Sequence, residues 1–222
     1  MDIQIITSVI EAGGVVAAAL VASSIAVIGG RNISRAFASR KIMTYKEAGY
    51  DARHIMNPAR DCIYVVAEIG NDLWEKRKRD FVRYLDSGVN IYWLIANQDN
   101  FSRINQYIES EVDDEKRKEI IKEMLELQDK DTKGKFILRS FDDFIASSYI
   151  AVDIDETDFN GNWKNSSVVH DMPYRYKMKT SEAPIVDIYA NKNVEVFEKL
   201  AESIKNMWGN GKPICTEDIQ VE

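Results

Sequence analysis

Histidine and cysteine are nearly absent from this sequence of 222 residues, with two of each, and proline occurs only four times. His54 and His170 lie far apart and neither has a Cys or His neighbour, so the inventory excludes a His-rich metal site. Cys62 and Cys215 suggest neither a disulfide framework nor a metal-ligand spacing, and two reduced thiols are the expectation. Gly70 stands alone after an apolar run and makes no phosphate-binding fingerprint. No Lys or Arg precedes Arg31, which argues against a cleaved secretory leader, because such leaders open on a basic segment. There is no internal repeat and no low-complexity tract.

What is present begins with residues 3–30, IQIITSVIEAGGVVAAALVASSIAVIGG, an apolar run with one ionisable interruption at Glu11. A helix needs about 20 apolar residues to cross a hydrocarbon core, so the run reads as a single transmembrane helix. Seven basic residues follow between Arg31 and Arg60 against Glu47 and Asp51. Basic flanks stay on the cytoplasmic side, so the expected topology is N-terminus out, with the remainder at the inner face of a bacterial inner membrane. Gly14, Ala18, Ala22 and Ala26 recur every four residues and give the helix one face of small side chains. Such faces let membrane helices approach closely, and an ionisable group at that depth usually faces a bundle interior. Homo-oligomeric packing or a pore through Glu11, Gly14, Ala18, Ala22 and Ala26 is the expectation.

The formal net charge of −7 hides a partition: residues 1–30 carry −2 and residues 31–60 carry +5, leaving −10 for residues 61–222. An acidic head is poorly suited to direct non-specific nucleic-acid binding, whereas the basic collar suits an anionic leaflet. The reading divides the chain into a transmembrane helix (3–30), a basic juxtamembrane helical linker (31–58), a cytosolic α/β domain (61–209) and a mobile tail (210–222). From Ile33 to Tyr50 the amphipathic pattern predicts a basic helix that Asn57-Pro58 ends. Strands are predicted at 62–67, 89–95, 135–139, 148–154, 167–170 and 185–189. Helices are predicted at 73–86 with Asp72 as cap, at 97–110, at 113–129 and at 194–208, the last stopped by Gly209 to Gly211. Strand-helix-strand order with short loops calls for a parallel crossover.

A helix leading into SGVNIYWLI, then FILRSF, a polar gap and SYIAVD, then PIVDIY and a helix closing on MW, resembles one half of the phospholipase D-like fold. The resemblance implies an α/β fold, a mixed-sheet sandwich, and pairing of single-copy heads. The family's catalytic signature is a His, a Lys two residues on and an Asp five beyond. Laid on SYIAVD it falls on Ala146, Ser148 and Asp153. Only the Asp is kept, and a covalent phosphoryl intermediate needs a nucleophile that Ala146 lacks. The resemblance therefore implies the fold and argues against the chemistry, so no catalytic residue, no metal and no cofactor are expected.

Ligands of open α/β sheets bind beyond the carboxyl ends of the parallel strands. Glu68, Asn71, Asn97 and Arg139 fall near those ends and, with Asp153, form the candidate ligand or partner site, Arg139 being the expected anion partner. One short span joined to a small sensing head is similar to membrane effectors of bacterial anti-phage defence. This implies an intracellular trigger, either an anionic signal such as a cyclic oligonucleotide or a partner immune protein. The alternatives are a membrane-tethered phosphodiesterase around Asp153 and His170, and a tethered adaptor recruiting a soluble partner.

Overall fold

The computed structural model describes residues 42–44, 52–108, 112–155, 163–174 and 183–215. The expected span at 3–30, including Glu11, Gly14, Ala18, Ala22 and Ala26, lies outside the described residues. Among the described residues no helix is long and apolar enough to cross a membrane.

In chain order the elements are β1 (Ile42–Thr44), α1 (Arg53–Met56), β2 (Cys62–Ala67), α2 (Asn71–Ser87), β3 (Asn90–Ala96), α3 (Gln98–Ile108), α4 (Asp114–Gln128), β4 (Phe136–Phe141), β5 (Ser147–Val152), β6 (Val168–Pro173), β7 (Pro184–Tyr189), α5 (Val194–Asn210) and β8 (Lys212–Pro213). The eight strands form one mixed sheet in the order β1-β7-β6-β5-β2-β3-β4-β8. β2, β3 and β4 are mutually parallel, and every other pairing is antiparallel.

β2 reads CIYVVA and is buried at all six positions, as a central strand covered on both faces must be. Successive strand residues point to opposite faces, and β3 separates the two cores. Trp93, with 0% exposure, meets Trp74 and Phe81 of α2 and Phe136 of β4 on one face. Tyr92 stacks on Tyr64 and meets Trp208 of α5 on the other. The layers are thus helix, sheet, helix. α2 buries Leu73, Trp74, Phe81 and Leu85 at helical spacing and ends where Gly88, at φ +98°, returns its N–H to the last-turn carbonyls.

Four expectations are corrected. The amphipathic helix predicted over Ile33 to Tyr50 is a strand where it is described, because Ile42–Thr44 pairs with the open edge of β7. Asp72 is not the cap of α2: Gly70 occupies that position with no side-chain bond, and Asp72 lies in the first turn beside Lys76. The last helix, expected to end at Trp208, continues to Asn210 and stops at Gly211, the last of the glycines expected to end it. A Cβ on Gly211 would lie 2.6 Å from Leu94 Cδ1, so any larger residue there would have to displace that side chain. The tail expected from residue 210 is also partly ordered: Lys212–Pro213 adds β8 to β4, and Ile214 is buried.

Candidate functional site

The antiparallel strands β5 and β6 bring their Ser147 and Pro173 ends beside the carboxyl end of β2. Glu68, Ala146, Ser148 and Tyr174 therefore share one end of the sheet. Backbone bonds hold Glu68 from both sides: its N–H donates to Tyr174 Oη at 2.8 Å and its carbonyl accepts from Ala96 N at 3.0 Å. The turn that follows is pinned by Trp93 Nε1, which donates to Ile69 O at 3.0 Å. Gly70 is required beneath that indole, having φ +79° and a Cβ position only 2.8 Å from the Trp93 ring.

The Glu68 side chain is buried, and Oε1 has no hydrogen-bond partner among the described residues. Burial pushes its carboxyl up to about 8, partly offset by the charge of Arg117. At neutral pH it is therefore mainly protonated, with an O–H to donate. Arg117, also buried, donates from Nη2 to Ala96 O at 3.1 Å and from Nη1 to Gln98 Oε1 at 2.6 Å, and stacks 5.1 Å from the Phe101 ring centroid. Tyr174 shares a hydrogen bond with the Ser148 side chain, and burial raises its phenol. Buried groups with perturbed protonation near strand ends are one signature by which a candidate ligand site is recognised.

The other expected residues are distributed differently. Asn97 lies at the end of β3, where Oδ1 accepts from Asn100 N at 2.9 Å and caps α3, while Nδ2 donates to Asp142 Oδ1 at 3.3 Å. Asn71 opens α2, three residues past Glu68, and is half-buried. Arg139 lies within β4 rather than beyond its end. It lies under α5, where Nη1 donates to Trp208 O at 2.9 Å and the guanidinium stacks 4.5 Å from the Trp208 ring. Arg117 is the cation next to Glu68, and its position in a charge run on α4 concealed it.

Asp153 is at the opposite end of the sheet. Its Oδ1 accepts from Arg60 N, Asp61 N and Cys62 N at 2.9–3.1 Å, and Oδ2 accepts from Arg60 N at 3.1 Å and Ser166 Oγ at 2.5 Å. Three consecutive backbone N–H groups form a nest that the carboxylate fills, which makes it a structural clasp between β2 and β5. The Asp153 backbone, at φ +51°, is held in the left-handed region to reach it. Beside the clasp, burial pushes the Cys62 thiol up to about 12, leaving it unreactive.

Sequence reading missed a third cluster. Both histidines of the chain converge on Asp187: His170 Nδ1 is 2.6 Å from Oδ1 and His54 Nε2 is 3.5 Å from Oδ2. Burial alone would raise the Asp187 carboxyl, but the hydrogen bond from His170 and the two imidazole charges hold it below the usual range. His170 and Asp187 face each other in the β6–β7 register. The available signal was His170 in β6 and Asp187 in β7, titratable residues set in otherwise largely apolar strands, since buried polar groups come with partners.

No protein-family model matches the sequence, and no curated protein matches it. Among solved structures, TrmBL2, an archaeal chromatin protein described as showing a novel mode of DNA binding, aligns at TM-score 0.47 and 13% identity, over 93% of this chain and 68% of its own. NucT from Helicobacter pylori aligns at TM-score 0.43 and 9% identity, over 79% of this chain and 99% of its own. At these scores neither likeness bears on function.

Proposed function

We propose that the chain is a membrane-anchored effector of bacterial anti-phage defence whose domain beyond residue 60 receives an intracellular signal without catalysis. The observation that carries this reading is the composition of the strand-end site. The positions where the resemblance to phospholipase D-like domains would require a His and a Lys hold Ala146 and Ser148, beside a buried Glu68 with one oxygen unpartnered. Without the His that the family's covalent step uses, such a site is read as binding rather than turning over. A protonated Glu68 presents a donor in the field of the Arg117 charge, which suits an anionic signal such as a cyclic oligonucleotide or a carboxylate of a partner immune protein. The apolar segment at 3–30, with Glu11 and its small-residue face, is then the acting part, associating and permeabilising the inner membrane once the domain is engaged.

The test is expression of the full chain with its neighbouring genes during phage infection, followed with a potential-sensitive dye. Depolarisation that is lost in Gly14→Leu/Ala18→Leu and retained in His170→Ala is the expected result. An inserted protein that leaves the potential and growth unchanged removes the reading.

The Asp187 cluster favours a second reading, a tethered phosphodiesterase, because a carboxylate that orients an imidazole is a common catalytic unit. That reading requires hydrolysis of a phosphodiester by the purified chain and its loss in His54→Ala, the more exposed of the two imidazoles.

A further inference from the structure

The domain beyond residue 60 is acidic, yet the face that α2 forms with α1 is basic. Asp80 of α2, 8% exposed, is ringed by arginines: Arg83 Nη2 at 2.7 Å, Arg53 Nε of α1 at 3.2 Å and Arg77 Nη1 at 3.8 Å. With that carboxylate neutralised, the surplus charge faces outward. Arg53, Lys76, Lys78 and Arg79 line one groove of about 430 Å³ with Glu75 and Asp80, and Arg83 extends the strip, its side chain 67% exposed. Lys76 and Lys78 also meet Asp72 and Glu123 at 3.5 and 3.2 Å, but the lysines are roughly half exposed, and such surface pairs exchange readily for a stronger anion.

We infer that this face of α1 and α2 docks on the phosphate headgroups of an anionic leaflet. The inference rests on the membrane-anchored reading above. Charge complementarity is one argument, since each Lys or Arg brought to such a surface raises affinity about five-fold. Chain length is the other. The sheet begins at Ile42, 12 residues past Gly30, the end of the apolar run, so at most about 40 Å of extended chain separates them. A face tethered that close meets the surface at high effective concentration, so individually weak contacts suffice. Arginine forks match phosphate oxygens in pairs, which favours headgroups over diffuse counterions. Docking would hold the strand-end site in a set orientation to the bilayer, and salt or a competing polyanion would release it.

The experiment places the full chain in nanodiscs of phosphatidylcholine alone or with about one-third phosphatidylglycerol, and measures acetylation of Lys76 and Lys78 by mass spectrometry. Lys199 serves as the internal reference, being 73% exposed on α5, across the sheet from α2. The expected result is at least three-fold slower modification of Lys76 and Lys78 with phosphatidylglycerol, no change at Lys199, and recovery in 0.5 M NaCl, where screening shortens to about 4 Å. Arg79→Glu/Arg83→Glu should abolish the shielding. Equal rates in the two lipids overturn the inference, as does equal shielding at Lys199. Shielding by duplex DNA in phosphatidylcholine discs, matching that by phosphatidylglycerol, assigns the face to nucleic acid and overturns it as well. Resistance to alkaline carbonate extraction is read on the same samples. A chain that is extracted but shielded contradicts the anchor alone, and one that is anchored but unshielded contradicts the docking alone.

Discussion

The two ends of the sheet each bury a carboxyl group and treat it in opposite ways. At one end Asp153 receives three consecutive backbone N–H groups and a serine hydroxyl, and its burial stabilises the join between β2 and β5. At the other, Glu68 is equally removed from water but keeps one oxygen unpartnered, and burial raises its carboxyl to about 8. A saturated buried carboxylate is scaffold. An unsaturated one costs stability, and such a cost is usually retained where a ligand completes the bonding.

The strongest way to break the contrast is Asp153→Ala, which leaves the nest donors without an acceptor. A loss of about 4 kcal/mol in chemical denaturation is expected, from several charge-assisted bonds at once. Glu68→Gln should act oppositely. Because the folded state holds the Glu68 proton more tightly than the unfolded chain, the contribution of this group to stability is present below about pH 4.5 and is lost as pH rises toward 8. The stability of the parent should fall by about 3 kcal/mol between pH 4.5 and 7 on this account, with the slope flattened in Glu68→Gln. A slope that persists unchanged in the variant would locate the effect elsewhere.

Smaller effects sharpen the same comparison. Tyr174→Phe removes the oxygen that accepts from Glu68 N and should cost about 1–2 kcal/mol, and the pH midpoint assigned to Glu68 should move with it. Asn97→Ala takes the cap from α3 and should cost about 1 kcal/mol without altering the pH slope, since Asn97 bonds to Asn100 and Asp142. If Asn97→Ala shifted the slope as far as Tyr174→Phe, the two residues would belong to one network.

Much of the architecture was legible in the residues. The apolar strands, the amphipathic α2 and α5 and the turn at Gly88 follow from local pattern and chirality, and the parallel order of β2 and β3 follows from a short crossover. The candidate site was legible only in part. Placing Glu68 and Asn97 at strand ends needs the strand order alone. Separating Asp153 from them needs the antiparallel return of β5, which carries a residue close to Glu68 in expected role to the far end of the sheet.

The sequence by itself determined the partition of this chain into an apolar head end, a basic segment and an acidic α/β remainder, because hydropathy, charge and period are properties of neighbours along the chain. Only the tertiary structure decided which side chains share a partner. It turned Ile42–Thr44 into a strand against β7, committed Arg139 to Trp208, placed Arg117 beside Glu68 and brought His54 and His170 to the same Asp187. Each is a contact between residues far apart in sequence, settled by sheet register and helix packing, and local pattern carries no record of either.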